Sequence, residues 1–448
     1  MIFALIVVPV LGLFVGVHRY LWCRLVRDTT TPGSRLRRTG TAAAFVLPLT
    51  TLAALPAERA GAPFPLQQAL AWPGYLWLAL VLYLTLALLV GEVVRAVALR
   101  ALHDREPDEE APSAPAPAPA PSPAPAPAPS PGPAPDPPRA PSPSSAPDPP
   151  RAPSPSSAPT LLPPRTPALP PLAVPPRRLF LARAVAAGAS LAATAAVGYG
   201  TATTLRGPAV KRVTVPLATL PRAAHGFRIA VVSDIHLGPT LGRAHTRRVV
   251  ETINRTGPDL VAIVGDLVDG SVADLAPAAE PLRGLRSRHG AYFVTGNHEY
   301  YSGAAPWVDH IRELGIHPLE NARTELPGFD LAGVNDVTGQ AEHAGPDYDL
   351  ALGGRDPSRA VVLMAHQPVT IHDTVRFGVD LQLSGHTHGG QMWPFTYVAA
   401  ATNPTVAGLE RYGDTQLYVT RGAGAWGPPV RLGAPPDVTV VELASLRA

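Results

Sequence analysis

Four stretches of this chain lack charged residues for about as long as a helix needs to cross a bilayer, about 20 residues. They are Met1 to about Val17, the interval between Arg38 and Glu58, the interval between Arg59 and Glu92, and the interval between Arg183 and Arg206. Pro48 interrupts the second, and Leu76 to Val90 is the most apolar part of the third. From about Glu106 to Pro176 the hydrophobic pattern disappears. That tract is mostly Pro, Ala and Ser, and a 12-residue unit, Asp136–Pro147, recurs unchanged as Asp148–Pro159. A segment with no apolar periodicity cannot bury a core and is expected to be a disordered linker. From Phe227 the pattern changes again, to short β-branched apolar runs that each stop at a polar cluster: Arg228–Ser233, Leu260–Val264, Ala291–Val294, Ala360–Met364 and Leu381–Leu383. Helical patterns separate them, as over Arg243–Asn254 and Ala304–Leu314. This alternation predicts an α/β fold with ligands at the carboxyl ends of its strands.

The predicted division is therefore a membrane region over residues 1–105 with about three transmembrane helices, a linker over 106–176, a fourth apolar segment over 177–206, and a globular domain over 207–448. Charge sharpens it. After residue 206 there are 20 Lys+Arg against 24 Asp+Glu, and before it 17 against 10. The overall basic balance belongs to the N-terminal half, beside the apolar runs, and marks topology rather than a face for nucleic acid. Arg19, Arg24, Arg27, Arg35, Arg37 and Arg38 crowd the first loop, which is expected to be cytoplasmic. Arg95, Arg100 and Arg105 hold the end of the third segment on that side, and Arg177 and Arg178 precede the fourth. The C-terminal domain is then extracytoplasmic on a multi-pass protein of the cell membrane. If the second segment does not span, only the first reverses. Arg177-Arg178-Leu179-Phe180-Leu181 before an Ala/Gly-rich run also looks like a twin-arginine export signal. Either form, fourth helix or signal anchor, delivers the domain to the same side. Cys23 is the single cysteine, which excludes an intrachain disulfide and a cysteine metal site.

The polar clusters carry the chemistry. Asp234 and His236 follow the first run, and Asp266 follows the second, in Gly265-Asp266-Leu267-Val268-Asp269. Asn297 and His298 follow the third, in Gly296-Asn297-His298-Glu299, and His366 follows the fourth. His386 and His388 follow the fifth, in Ser384-Gly385-His386-Thr387-His388-Gly389. An extended backbone would put Asp234 and His236 on one side, and likewise His386 and His388. Carboxylate, imidazole and amide oxygen together suit Mn, Fe, Zn or Ni better than Ca or Mg alone. Two such cations about 3.5–4 Å apart, sharing one carboxylate, are what hydrolysis of a phosphoester by an activated water requires. One D-x-H or one H-x-H means little, because a lone histidine is more often a satisfied core or surface residue. The ordered set, each member ending a predicted strand, is specific. His225, His245, His289, His310, His317, His343 and His372 take the ordinary structural reading.

On these motifs the segment from about Gly226 to Leu443 resembles the calcineurin-like metallophosphoesterase superfamily. With Arg421-Gly422-Ala423-Gly424 and Gly427-Pro428-Pro429, it is similar to the membrane-associated YkuE/YaeI-like phosphodiesterase branch. The resemblance implies a four-layer α/β/β/α sandwich. It implies that Asp234, His236 and His388 hold one divalent metal ion, that Asn297, His366 and His386 hold a second, and that Asp266 bridges. It also implies that His298 contacts the phosphate and protonates the leaving oxygen, with Asp269 supporting the loop or His298. Protein phosphatases of the superfamily carry Arg directly after the second Asp of G-D-x-x-D. Here Gly270 stands there, which disfavours a protein substrate. The expected function is metal-dependent hydrolysis of phosphoesters, with phosphodiesters of a lipid or envelope-related substrate favoured. The alternatives are a catalytically silent binding or scaffold protein on the same fold, a phosphomonoesterase and a nuclease. The acidic C-terminal half counts against the nuclease. Met392, Trp393, Pro394, Phe395 and Tyr397, just beyond the last histidines, could line a leaving-group pocket, lean on lipid or simply pack a loop.

Overall fold

The computed structural model describes residues 2–57, 60–103 and 177–447. The chain divides into two units: Met1–Val97 with Arg177–Ala448, and Ala98–Pro176. Of the second, only the end of one helix is described, so the proline-rich tract falls outside the described residues.

The N-terminal apolar segments are helices: α1 (Ile2–Trp22), α2 (Arg35–Ala54), α3 (Phe64–His103) and α4 (Arg177–Arg206). Among the described residues, two stretches are long and apolar enough to cross a membrane, Phe64–Val97 of α3 and Leu179–Arg206 of α4. They correspond to the third and fourth expected segments. Helix α3 does not stop at Glu92, where the charge-free stretch ends. Glu92 meets Arg24 at 2.7 Å and Arg95 at 2.7 Å, and charges paired in this way can remain on a continuous helix.

The C-terminal half builds two six-stranded sheets. Its strands are β1 (Ala209–Leu217), β2 (Phe227–Val232), β3 (Leu260–Val264), β4 (Ala291–Val294), β5 (His317–Pro318), β6 (Ala322–Leu326), β7 (Phe329–Gly333), β8 (Ala360–Met364), β9 (Leu381–Ser384), β10 (Gly408–Tyr412), β11 (Thr415–Val419) and β12 (Asp437–Ser445). One sheet runs β1-β12-β2-β3-β4-β5 and the other β10-β11-β9-β8-β7-β6. Strands β2 to β5 are parallel, and β12 returns from the end of the chain to lie between β1 and β2, antiparallel to β2.

Alternation along the strands separates two cores. Ile229, Val231, Ala262 and Val264 face Leu331, Val362, Met364 and Leu383 of the other sheet. Ala230, Val232, Val261 and Ile263 point the other way, onto α5 (Arg243–Thr256), α6 (Val272–Ala279) and, beyond the short α7 (Asn297–Ser302), α8 (Ala304–Glu313). Val249, Ile253, Leu275, Trp307 and Ile311 receive them. On the far face of the second sheet Ala332, Val361 and Leu363 pack with Leu352 of α9 (Tyr348–Leu352). The layers are α/β/β/α. Truncating one of these buried leucines or isoleucines to alanine costs about 2–5 kcal/mol, so the ligand-bearing loops stand on a rigid base.

Candidate metal centre

The loops after β2, β3, β4, β8 and β9 meet at one edge of the sandwich. They bring together donor atoms in two principal groups, Asp234, His236 and His388, and Asp266, His366 and His386. In the first, His236 Nε2 and His388 Nε2 are 3.0 Å apart, and His388 Nε2 lies 3.3 Å from Asp234 Oδ1. In the second, Asp266 Oδ2 lies 3.1 Å from His366 Nε2, and Asn297 Oδ1 lies 3.0 Å from His386 Nδ1. Asp266 Oδ2 is also 3.8 Å from His236 Nε2, which puts this carboxylate between the groups.

The route by which these side chains converge differs from the extended backbone expected of D-x-H and H-x-H. Asp234 (φ 52°), His236 (48°), Asp266 (50°), His386 (72°) and His388 (53°) all lie in the left-handed region, which disfavours a side chain. His386 and His388 consequently do not share a side: one ring joins Asn297, the other joins Asp234 and His236. Strain at five neighbouring residues persists only where the surroundings impose it. At Gly265 the crowding is direct, because a Cβ there would stand 2.7 Å from the Gly296 nitrogen and 2.7 Å from His366 Nδ1.

The donor chemistry fits divalent cations. His366 donates through Nδ1 to the Val264 carbonyl at 2.8 Å, which leaves Nε2 facing Asp266 at 3.1 Å. Burial lowers the His366 pKa, but Asp266 more than reverses this and holds the ring protonated. A divalent cation at Nε2 would take the place of that proton, as metal binding to histidine requires. Burial pushes the Asp266 carboxyl up, but His366, His236 and His298 together hold it well below its ordinary value, so it is anionic.

A third group, His236, Asp269 and His298, adjoins the first. Asp269 Oδ1 is 2.9 Å from His236 Nδ1 and 2.6 Å from His298 Nδ1, a hydrogen-bonding position between two rings. Burial lowers the His298 pKa. The hydrogen bond and charge of Asp269, with Asp266 and Glu299, more than reverse this and raise it to about 9. Burial raises Asp269 in turn, and the two histidines bring it down to about 2.

Two residues near the centre escaped the sequence reading. Glu299, fully buried, accepts from the backbone amides of Asp266 (3.0 Å), Leu267 (2.7 Å) and Gly296 (2.6 Å), fastening the β3 loop to the β4 loop. Its presence in G-N-H-E was visible, its role as a clamp was not. Arg431, also buried, donates to the His388 carbonyl (2.8 Å), to His388 Nδ1 (2.9 Å) and to the Gly424 and Arg421 carbonyls. A guanidinium only donates, so in this contact the His388 ring proton lies on Nε2, towards His236 Nε2, and a metal ion held at that nitrogen would have to displace it. Arg431 is the one charged residue between Arg421 and Asp437, and that isolation was the available signal. Of the aromatic run after His388, Met392 is buried against α3 and α4, while the rings of Trp393, Phe395 and Tyr397 are exposed. Tyr301 and Trp426, instead, stand edge-on to His298, with ring centroids at 5.3 and 5.8 Å.

Residues 227–390 match the family model for calcineurin-like phosphoesterases. A transmembrane protein with a metallophosphoesterase domain from Danio rerio is 38% identical over 259 residues, covering 55% of this chain and 59% of that protein. The metallophosphoesterase YkuE of Bacillus subtilis is 31% identical over 282 residues, covering 60% of this chain and 97% of the relative. The chain thus spans 59% of the length of the Danio rerio relative and 57% of that of a like-named Bos taurus protein. A solved dimetal phosphatase from Danio rerio aligns with 49% of this chain and 93% of its own, at a TM-score of 0.34 and 13% identity.

Proposed function

Because the chain belongs to the calcineurin-like metallophosphoesterases, we propose that it hydrolyses phosphoesters at this centre with two divalent metal ions, Mn, Fe, Zn or Ni, and that phosphodiesters of lipid or envelope-related molecules are its favoured substrates. The observation that carries the reading is the pair of donor groups with Asp266 between them and His298 at their rim. In this proposal Asp234, His236 and His388 would hold one ion and Asn297, His366 and His386 the other, with Asp266 between the two groups available to both. When bound, the two cations supply an activated water and neutralise charge on the phosphoryl oxygens.

The chain's own residues do the rest. Glu299 fixes the Asp266 loop at its backbone. Asp269 keeps His298 protonated near neutral pH, and the ring nitrogen turned away from Asp269 gives its proton to the leaving oxygen. Gly270, where an Arg would serve a protein phosphatase, counts against a protein substrate. In the same proposal residues 207–448 form the hydrolase domain, held outside the cell membrane by the helices before them. The transmembrane relatives and the apolar lengths of α3 and α4 support a membrane setting.

The test uses the full chain in detergent, loaded with Mn²⁺, on bis-p-nitrophenyl phosphate and p-nitrophenyl phosphate. Faster cleavage of the diester is expected, with activity in Asp266→Asn lower by at least about 10²–10³-fold. Metal-loaded protein inert towards both esters would overturn the reading.

A further inference from the structure

A cleft of about 370 Å³ opens beside Asp269 and His298. Its volume lies in the range of small-molecule sites, about 300–1,000 Å³. One wall comes from the phosphoesterase fold, with the exposed rings of Tyr301 and Trp426 flanking His298. The facing wall comes from the membrane-side helices: Leu55 just past α2, and Gln67, Ala71, Tyr75 and Leu78 on α3. Among the described residues no Lys or Arg lines it. The fold and the helices are joined firmly here. The Arg431 amide donates to the Gly200 carbonyl of α4 at 3.0 Å, Tyr83 Oη donates to the Trp393 carbonyl at 3.0 Å, and Met392 and Val430 are buried among α3 and α4 side chains.

The helices also fix the depth of the cleft. Glu92, paired with Arg24 and Arg95, marks one polar boundary on α3. At 1.5 Å per residue, Leu78 lies ~21 Å and Ala71 ~32 Å along the helix from Glu92, against a hydrocarbon thickness of about 30 Å. On α4, Arg183 and Arg206 are ~35 Å apart, and β1 starts just beyond Arg206. The cleft therefore opens at the polar–apolar boundary on the side of the phosphoesterase fold, with a wall that runs along α3 from Gln67 through Ala71 and Tyr75 to Leu78.

We propose that this cleft receives the aliphatic part of the leaving alcohol, so that the substrate is a phosphoester of a membrane-resident, long-chain alcohol. This deepens the phosphoesterase reading and rests on it for the reaction. The phosphate lies at the donor groups, the ester oxygen meets His298, and the chain passes between Trp426 and the α2–α3 wall into the bilayer. Water forms the new bond to phosphorus, the bond from phosphorus to the chain-bearing oxygen breaks, and that oxygen takes the His298 proton. The attacking water loses a proton, and a proton from solvent reprotonates His298, so the net step is addition of water across the phosphorus–oxygen bond.

The experiment measures Kd by calorimetry for ethyl-, hexyl- and dodecylphosphonate on the full chain with Mn²⁺, in nanodiscs of dimyristoylphosphatidylcholine. Each fully buried methylene is worth about fourfold, so dodecylphosphonate should bind at least ~100-fold more tightly than ethylphosphonate. Leu55→Asp and Trp426→Ala, one from each wall and both at exposed side chains, should each reduce that ratio to about tenfold or less. Partition into the lipid acts equally on all three proteins, so the change in ratio isolates the cleft. A wild-type ratio below about tenfold, or one that neither substitution lowers, overturns the proposal. Hydrolysis of bis-p-nitrophenyl phosphate by the same samples separates the two readings. Turnover without chain-length dependence defeats the cleft alone. Chain-length dependence without turnover defeats the hydrolase and keeps the ligand class.

Discussion

Asp269 holds two imidazoles with one oxygen, and the consequence for pH can be worked out. His298 can donate a proton only below its pKa, which its acidic neighbours raise to about 9. Replacing Asp269 with Asn removes the charge, and leaves only a neutral hydrogen bond, at the group that heads those raising influences. The alkaline limb of kcat/KM should then move to lower pH by about one to three units, while Asp269→Glu partly restores it. A profile in Asp269→Asn that superimposes on the wild type would remove His298 from the proton-donating role. Glu299 gives a second prediction. Burial and Asp266 push its pKa up to about 7, against the amide donors of Gly296 and Leu267. Glu299→Gln keeps the shape but turns an NH₂ group towards a backbone amide that needs an acceptor. It should lower metal affinity by about 10–100-fold and stability by about 1–3 kcal/mol, read by Mn²⁺ titration calorimetry and thermal unfolding. The motif residues were legible because ligand chemistry restricts residue type. Glu299 and Arg431 act on backbone atoms of other loops, and such partners exist only once the fold has formed. The left-handed backbone at Asp234, His236 and Asp266 was hidden for the same reason: nothing in D-x-H distinguishes it from an extended strand.

Among the elements, the strands that carry candidate ligands were the readable ones. β3, β4 and β8 coincide with the expected runs, since a strand covered on both faces is apolar without interruption. The strands the sequence left unread are mostly at or near sheet edges. β10 is Gly-Leu-Glu-Arg-Tyr and largely open to solvent, and β6 is Ala-Arg-Thr-Glu-Leu, so neither shows a clean apolar run. β12 is buried yet depends on β1 and β2, more than two hundred residues away in sequence. Helix α4 has a comparable long-range contact. A Cβ at Gly200 would stand 2.5 Å from Val430 Cγ1, whereas at Gly198 nothing lies within 4 Å. Gly200→Val should therefore loosen α4 from the Arg431 loop and cost about 1–3 kcal/mol. Gly198→Val, on the same helix, should have little effect. Apparent melting temperatures in detergent, compared between these two variants, check the contact, and equal melting would refute it.

At the scale of the whole molecule, the sequence distinguished a membrane half from a catalytic half by charge and hydropathy, but it gave no reason to expect them to share a wall. That wall arises because α3 is longer than a bilayer requires and because the loop carrying Met392 and the loop carrying Val430 bury those side chains against α3 and α4. The proposed orientation follows from the arginines of the first loop and can be tested with the chain's own chemistry. Cys23 is the sole cysteine, beside Arg24 and Arg27, and the proposed topology puts it on the cytoplasmic side. The same proposed topology puts Asp414, fully exposed in the turn between β10 and β11, on the opposite side. In intact cells a membrane-impermeant maleimide should label Asp414→Cys in a Cys23→Ser background and leave wild-type Cys23 unmodified until the cells are permeabilised. The reverse pattern would place the hydrolase inside, and its substrates would then have to be sought in the cytoplasmic leaflet. The cleft beside His298 would keep its geometry in that case, because its depth is set by the distance from Glu92 along α3 and not by the direction in which α3 crosses.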